Sequence, residues 1–180
     1  MENRVNGLAG SEKTGSLTVR DAKPEDFPAI ASIYAWHVEH GTGSFETVPP
    51  DEKELLQRWR KVLDWGSSWL VAENEDGRIM GYAYAGPYNT REAYRKTVED
   101  SVYICRHAMH RGVGTALMKA LIAACREKGF TNMVSVIGDS ENRGSIGLHE
   151  KLGFQRCGSF TNVGSKFDRL LDVVFMQLPL

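Results

Sequence analysis

The sequence has no unbroken apolar run of about 18 residues, so it offers no membrane-crossing helix, and its first 16 residues lack the apolar core of a secretory signal. Cysteine is scarce. Cys105, Cys125 and Cys157 are three, isolated, and without C-x-x-C spacing, a pattern that gives no support to a zinc site and fits a reducing compartment. We read them as packing residues, with no metal and a cytoplasmic location. Neither sign of charge is in excess: 22 Lys and Arg face 23 Asp and Glu, a formal net charge of −1. Such a balance sets up no general field toward nucleic acid or an anionic membrane, so an anion must be held by a local site and the expected partner is a small molecule. Two nucleotide signatures are also missing. No Gly-Lys-Ser/Thr follows the glycines at 112 and 114, and the third place of a G-x-G-x-x-G fingerprint is Leu117.

What is present is enough for one core: 180 residues, 42% apolar. Met1 to Ser16, rich in Gly, Asn, Ser, Glu and Lys, reads as a flexible leader, leaving residues 17–180 as a single domain. Leu17 to Arg20 reads as a strand. Lys23-Pro24-Glu25-Asp26 opens a helix carrying Ile30, Ile33 and Tyr34 at helical spacing, and Gly41 to Ser44 ends it. Phe45 to Pro50 is extended, because residues before proline avoid the helical region. Asp51 or Glu52 starts a second helix with Leu55, Leu56, Trp59 and Val62. Trp69 to Ala72 and Ile79 to Ala85 flank Asn74-Glu75-Asp76-Gly77 as a hairpin, which Gly86-Pro87 breaks. Strands Val98 to Ile104 and Thr131 to Ile137 enclose a helix from Gly112, a β-α-β unit with parallel strands. A short helix from Arg143 to Leu152 and a last strand pair complete the order β-α-α-β-β-β-α-β-α-β-β. This is an α/β domain on a mixed, mostly antiparallel sheet with helices on both faces.

The stretch from Thr97 to Leu121 is where chemistry concentrates. An acid-bearing strand runs through a basic connection into Gly112-Val113-Gly114 at a helix start. A helix N-terminus has unpaired N–H groups and a positive dipole end, and glycine lets a phosphate approach them closely. The loop R-G-V-G-T-A-L after V-Y-I, and N-R-G-S-I-G-L-H-E-K-L-G-F after the next strand, resemble the GNAT superfamily of acyl-CoA N-acetyltransferases. A-Y-A-G-P-Y, T-V-E-D-S-V-Y-I and K-F-D-R-L-L-D-V-V-F-M-Q are similar to its phosphinothricin and methionine sulfoximine acetyltransferase group, and the resemblance spans about Leu17 to Leu178.

The resemblance implies acetyl-CoA as co-substrate, with the backbone of Val102, Tyr103 and Ile104 beside the pantetheine arm. It places the pyrophosphate on the amides of His110, Arg111, Gly112, Val113, Gly114 and Thr115, and Asn142 and Ser145 on the far side of the cofactor. Met109 stands where the family has Gln or Arg, and Arg111 is the cation that could restore the charge. Asn142 also reads as an ordinary helix cap. His149 occupies the place of the family's proton-donating tyrosine, and reads either as that donor or as a core histidine satisfied by backbone.

Glu99 is the candidate general base, on the same strand as Val102, whose N–H is the candidate oxyanion donor. A salt bridge from Glu99 to Arg95 or Lys96 is the competing role. Arg91 or Arg95 would grip a substrate carboxylate, with Asn89 alongside and Phe45, Tyr84 and Tyr88 lining the pocket; Phe45 otherwise reads as a hydrophobic plug and the basic loop as solvated. The expected reaction is acetyl transfer to the amine of a small amino-acid-like substrate. The alternatives are a protein N-terminus, a polyamine or an aminoglycoside as acceptor, or a catalytically silent acyl-CoA-binding module. The resemblance further implies a homodimer, which would form through the apolar C-terminal strand.

Overall fold

The computed structural model describes residues 16–180. The leader expected over Met1 to Ser16 lies outside the described residues except for Ser16, whose N–H donates to the Glu75 carboxylate. The elements are β1 (Leu17–Asp21), α1 (Phe27–His40), α2 (Glu52–Asp64), β2 (Trp69–Asn74), β3 (Ile79–Pro87) and β4 (Thr97–Ile104). They continue with α3 (Val113–Glu127), β5 (Asn132–Gly138), α4 (Arg143–Lys151), β6 (Gln155–Lys166) and β7 (Arg169–Pro179). The seven strands form one sheet in the order β1-β2-β3-β4-β5-β7-β6, parallel only between β4 and β5.

Strand alternation sends neighbouring residues to opposite faces, and each face has its own core. On one face Phe27, Ile30, Ile33 and Val38 of α1 and Leu55 and Val62 of α2 pack against Trp69, Val71 and Tyr82. On the other, Leu117, Met118 and Leu121 of α3 cover Leu70, Ala72, Ala83, Val98 and Met133. Asp51 starts α2 by accepting the Glu54 N–H (2.7 Å), an ordinary acidic cap.

Two expectations need correction. Gly86-Pro87 does not break the hairpin: β3 continues through both, with Pro87 opposite Val98. The neighbouring residue Tyr88 donates to Thr97 O, so the Pro87 nitrogen faces away from β4, on the side where β2 has already ended. Its missing N–H therefore removes no ladder bond. Cys157 is exposed, so the packing role suits only Cys125, which is buried, and the half-buried Cys105. The C-terminal strand β7 is paired on both edges, by β5 and β6.

The parallel pair is short. Its register covers only Thr97–Asp100 against Asn132–Ser135. Beyond that, β4 stays with β3 as far as Ile104, while β5 stays with β7 as far as Gly138. The two strands part and leave a V-shaped opening in the middle of the sheet.

Candidate active site

A cleft of about 840 Å³ occupies this opening. One wall is the end of β4. Cys105 N–H donates to Met80 O and Tyr88 N–H to Thr97 O, so in this antiparallel ladder the odd-numbered residues of β4 bond β3. The N–H and C=O groups of Val102 and Ile104 consequently point toward the side that β5 has vacated. The Ile104 carbonyl is engaged there by His37 Nε2 (2.8 Å), which leaves Val102 as the residue offering both backbone groups.

The second wall is the start of α3. His110 (φ 61°) and Gly112 (φ 83°) sit in the left-handed region, and Ala116 N–H to Gly112 O is the first bond of the helix. The N–H groups of Val113, Gly114 and Thr115 are therefore the unpaired donors of a helix N-terminus, and all three residues line the cleft. Gly114 is also a packing requirement, since a Cβ there would lie 3.1 Å from Leu148 of α4. Met109 and His110 line the cleft, but Arg111 is exposed and does not; Arg143 and Lys151 are the cations that do. The Arg111 side chain is turned to solvent next to the left-handed His110.

The third wall is the N-terminus of α4. Asn142 Oδ1 caps it by accepting the Ser145 N–H (3.2 Å), so the ordinary capping role is realised, and both residues line the cleft as well. One turn on, His149 is 1% exposed and sits where the strands part. Its Nδ1 is 2.7 Å from Ser145 O, and its Nε2 is 2.9 Å from Asp100 Oδ2 and 3.0 Å from Ser135 Oγ. Burial works against a charge on this ring, but the Asp100 carboxylate outweighs it and the pKa is raised. The two side chains form a buried His–Asp pair. Asp100 Oδ1 is buried in the same place with no hydrogen-bond partner, a condition that costs free energy unless a ligand supplies a donor.

Glu99 occupies the other face of the sheet, with Tyr103 and Ser101, toward α1 and α2. Among the described residues no cation lies at ion-pair distance from it, and Arg95 pairs instead with Glu92 (3.5 Å). The competing salt bridge is absent. Burial, with a contribution from the Asp100 charge, pushes the Glu99 carboxyl up to about 7. A carboxylate poised near neutrality is what a base for amine deprotonation requires. Glu99 pairs with Val134 just before the strands part, and its neighbours Asp100 and Ser101, not Glu99 itself, line the cleft.

The residues expected to hold the acceptor are not gathered in one place. Tyr84 is half-buried and stacked on Trp69 (4.0 Å between centroids). Tyr88 and Tyr94 meet edge to face (5.6 Å), and Asn89 Oδ1 closes a turn by accepting the Arg91 N–H. Arg91 and Arg95 are exposed on that loop, and neither lines the cleft. Phe45 is wedged against Gly138 and Gly164, where a Cβ would lie 2.7 and 2.2 Å from ring atoms. Glu46 accepts from Tyr34 (2.9 Å) and pairs with Arg58 (2.6 Å).

Reading the sequence missed Asp100, Ser135 and His37. Asp100 had a signal, a second acid beside Glu99 on a strand whose alternation had to bury one of the two; Ser135 and His37 carry none outside the fold.

Comparison with known proteins agrees with this geometry. The family model described as "Acetyltransferase (GNAT) family" matches residues 30–154. The phosphinothricin N-acetyltransferase of Alcaligenes faecalis is 50% identical over 165 residues, 92% of this chain and 83% of that protein. The L-methionine sulfoximine/L-methionine sulfone acetyltransferase of Pseudomonas aeruginosa is 39% identical, with 92% of this chain and 95% of that protein covered. Among solved structures, a GNAT superfamily phosphinothricin acetyltransferase from Sinorhizobium meliloti in complex with AcCoA superposes with a TM-score of 0.88 at 40% identity, over 91% and 88% of the two chains. A parted β4–β5 pair with a helix N-terminus beside it, and relatives that match it nearly end to end, lead to one conclusion: the chain belongs to the GNAT family of acetyltransferases.

Proposed function

We propose that this enzyme transfers acetyl from acetyl-CoA to the amine of a small amino-acid-like substrate of the phosphinothricin or methionine sulfoximine type, by direct attack with both substrates bound. The observation that carries the reading is the opening between β4 and β5, which leaves the backbone of Val102 without a strand partner on the β5 side, near the unpaired N–H groups that start α3, with Glu99 three residues earlier on the same strand. The residues fit acetyl-CoA: the free N–H groups of Val113 to Thr115 suit a pyrophosphate, and the backbone of Val102 suits an amide-bearing arm. Glu99 takes a proton from the ammonium, and the Val102 N–H donates to the oxyanion as the amine nitrogen bonds the acetyl carbon. As the C–S bond breaks, the proton on His149 passes through the Ser135 hydroxyl to the thiolate, leaving a neutral imidazole beside Asp100. Arg91 or Arg95, both exposed on the loop before β4, is the cation for the substrate carboxylate, with Asn89 and Tyr88 near that loop, Tyr84 on β3 and Phe45 after α1 as the other acceptor contacts.

The test is thiol release from acetyl-CoA against a panel of free amino acids, phosphinothricin, methionine sulfoximine, a polyamine and an aminoglycoside. Release with the first three classes only is the expected result. Binding of CoA without release from any amine would instead identify a silent module.

We further propose that the protein works in the cytoplasm as a homodimer formed through the β6–β7 hairpin. Phe160 and Val163 of the edge strand β6, Phe167 of the turn and Leu170 of β7 are each half or more exposed there. Sedimentation should give a dimer, and Leu170→Glu should shift it toward monomer; a monomeric wild type removes the proposal.

A further inference from the structure

The β6–β7 hairpin buries a lysine to which neither the sequence motifs nor the reaction assigns a task. Lys166 is 5% exposed, and its ammonium donates to Gly41 O (2.9 Å) and Ser44 O (2.8 Å). No carboxylate lies at ion-pair distance from it among the described residues; the Phe167 ring, 5.1 Å away, is its other electrostatic partner. Burying an ammonium without a counter-ion is unfavourable, and here burial pulls its pKa down. The adjoining turn is strained as well: Phe167 and Asp168 have φ of 53° and 56°, a left-handed pair with no glycine. What the ammonium holds is the segment Gly41–Glu46, which leaves α1 and reaches the end of β5.

That segment is fixed from every side. Thr42 O and the Phe45 ring sit so close to Gly138 that a Cβ would lie 2.4 and 2.7 Å from them, and Gly164 leaves even less room against Phe45. Ser44 Oγ is 2.9 Å from Tyr34 OH, and Glu46 is held by Tyr34 and Arg58. Its two halves face different compartments: Gly41 to Gly43 line the cleft, while Glu46 turns to α1 and α2, the side of the sheet that carries Glu99. A lysine suits this task because three donors radiate from one atom and can bridge the carbonyls at both ends of a turn.

We propose that Lys166 is a positioning residue of the acceptor site, holding Gly41–Glu46 as the partition between the cofactor cleft and the amine. This rests on the acetyltransferase reading. In Lys166→Met, the KM for the best amine rises about tenfold while kcat changes less than about threefold, and the acetyl-CoA Kd, measured by calorimetry, stays within about twofold. Lys166→Arg, which keeps the donors, recovers part of the KM. Gly164→Ala, whose methyl displaces the Phe45 ring, raises KM in the same direction and carries the test if Lys166→Met does not fold. An unchanged KM with a lower active fraction indicates a merely structural lysine and overturns the proposal, as does a parallel rise in KM and acetyl-CoA Kd. Should the wild type acetylate no amine, the acetyltransferase reading fails by itself. Hydrogen exchange of amides 41–48 then decides the role of Lys166: faster exchange in Lys166→Met supports it, and unchanged exchange overturns it.

Discussion

Glu99→Gln should lower kcat by about 10²–10³-fold at pH 7 with acetyl-CoA affinity unchanged, the loss expected when a positioned general base is removed. The wild-type pH profile supplies the sign. The carboxyl must be ionised to accept a proton, and burial together with the Asp100 charge pushes it up to about 7. kcat/KM should therefore rise with pH through about 7 and level off, and that rising limb should vanish in the variant. A profile whose limb survives the substitution would assign it to another group, His149 being the first to test. The same residue should reveal itself in stability. Its folded pKa lies above the ordinary 4.5, so the native state binds the proton more tightly than the unfolded chain, and stability falls as pH rises between those values. Glutamine carries no such penalty. The inactive variant should melt higher than wild type at pH 8, and the difference should shrink toward pH 5, the exchange of stability for activity seen when a charged group is kept half-buried for use.

That pairing of a poised acid with an open sheet was partly legible in the chain. Period-2 and period-3.6 patterns, caps and glycines place every strand and helix, because each element buries one face and writes that face into its sequence. Glycines at 112 and 114 before an apolar helix announce an anion-binding terminus for a local reason, and Asn142 announces its cap for another. The parting of β4 and β5 was not legible. Val98 to Ile104 and Thr131 to Ile137 look like strands able to pair throughout, and the partners that His149 meets at the end of the paired stretch, Asp100 and Ser135, come together only in the fold. Lys166 was invisible for the same reason: its partners at Gly41 and Ser44 are 125 and 122 residues away, and they are backbone carbonyls, which have no side-chain signature. The basic loop around Arg91 and Arg95 is legible as charged and aromatic, but not which arginine faces a substrate, since the fold leaves both exposed.

The buried pair at the point of divergence should respond unequally to losing either member. Asp100→Asn removes the charge that raises the His149 pKa, but the ring can then shed its proton and still donate from Nδ1 to Ser145 O while Nε2 accepts from Ser135. The cost should be modest, about 1–2 kcal/mol, the scale of a weakened buried hydrogen bond. His149→Leu fills similar space yet leaves Asp100 without its cation, and Oδ1 has no partner to begin with. A stranded buried charge costs about 3–5 kcal/mol, which at this chain length lowers Tm by roughly 6–20 °C. Combining the two substitutions removes the stranded charge, so the double variant should be more stable than His149→Leu alone. The pH dependence has a definite sign. Because the folded His149 pKa lies above its unfolded value of 6.5, its stabilising contribution is complete below that value and is lost as pH rises through the folded pKa. Urea unfolding of wild type should show this decline on the alkaline side, and Asp100→Asn should not. If His149→Leu proves as mild as Asp100→Asn, the imidazole is neutral in the native protein, and the proton proposed for the leaving thiolate must come from elsewhere.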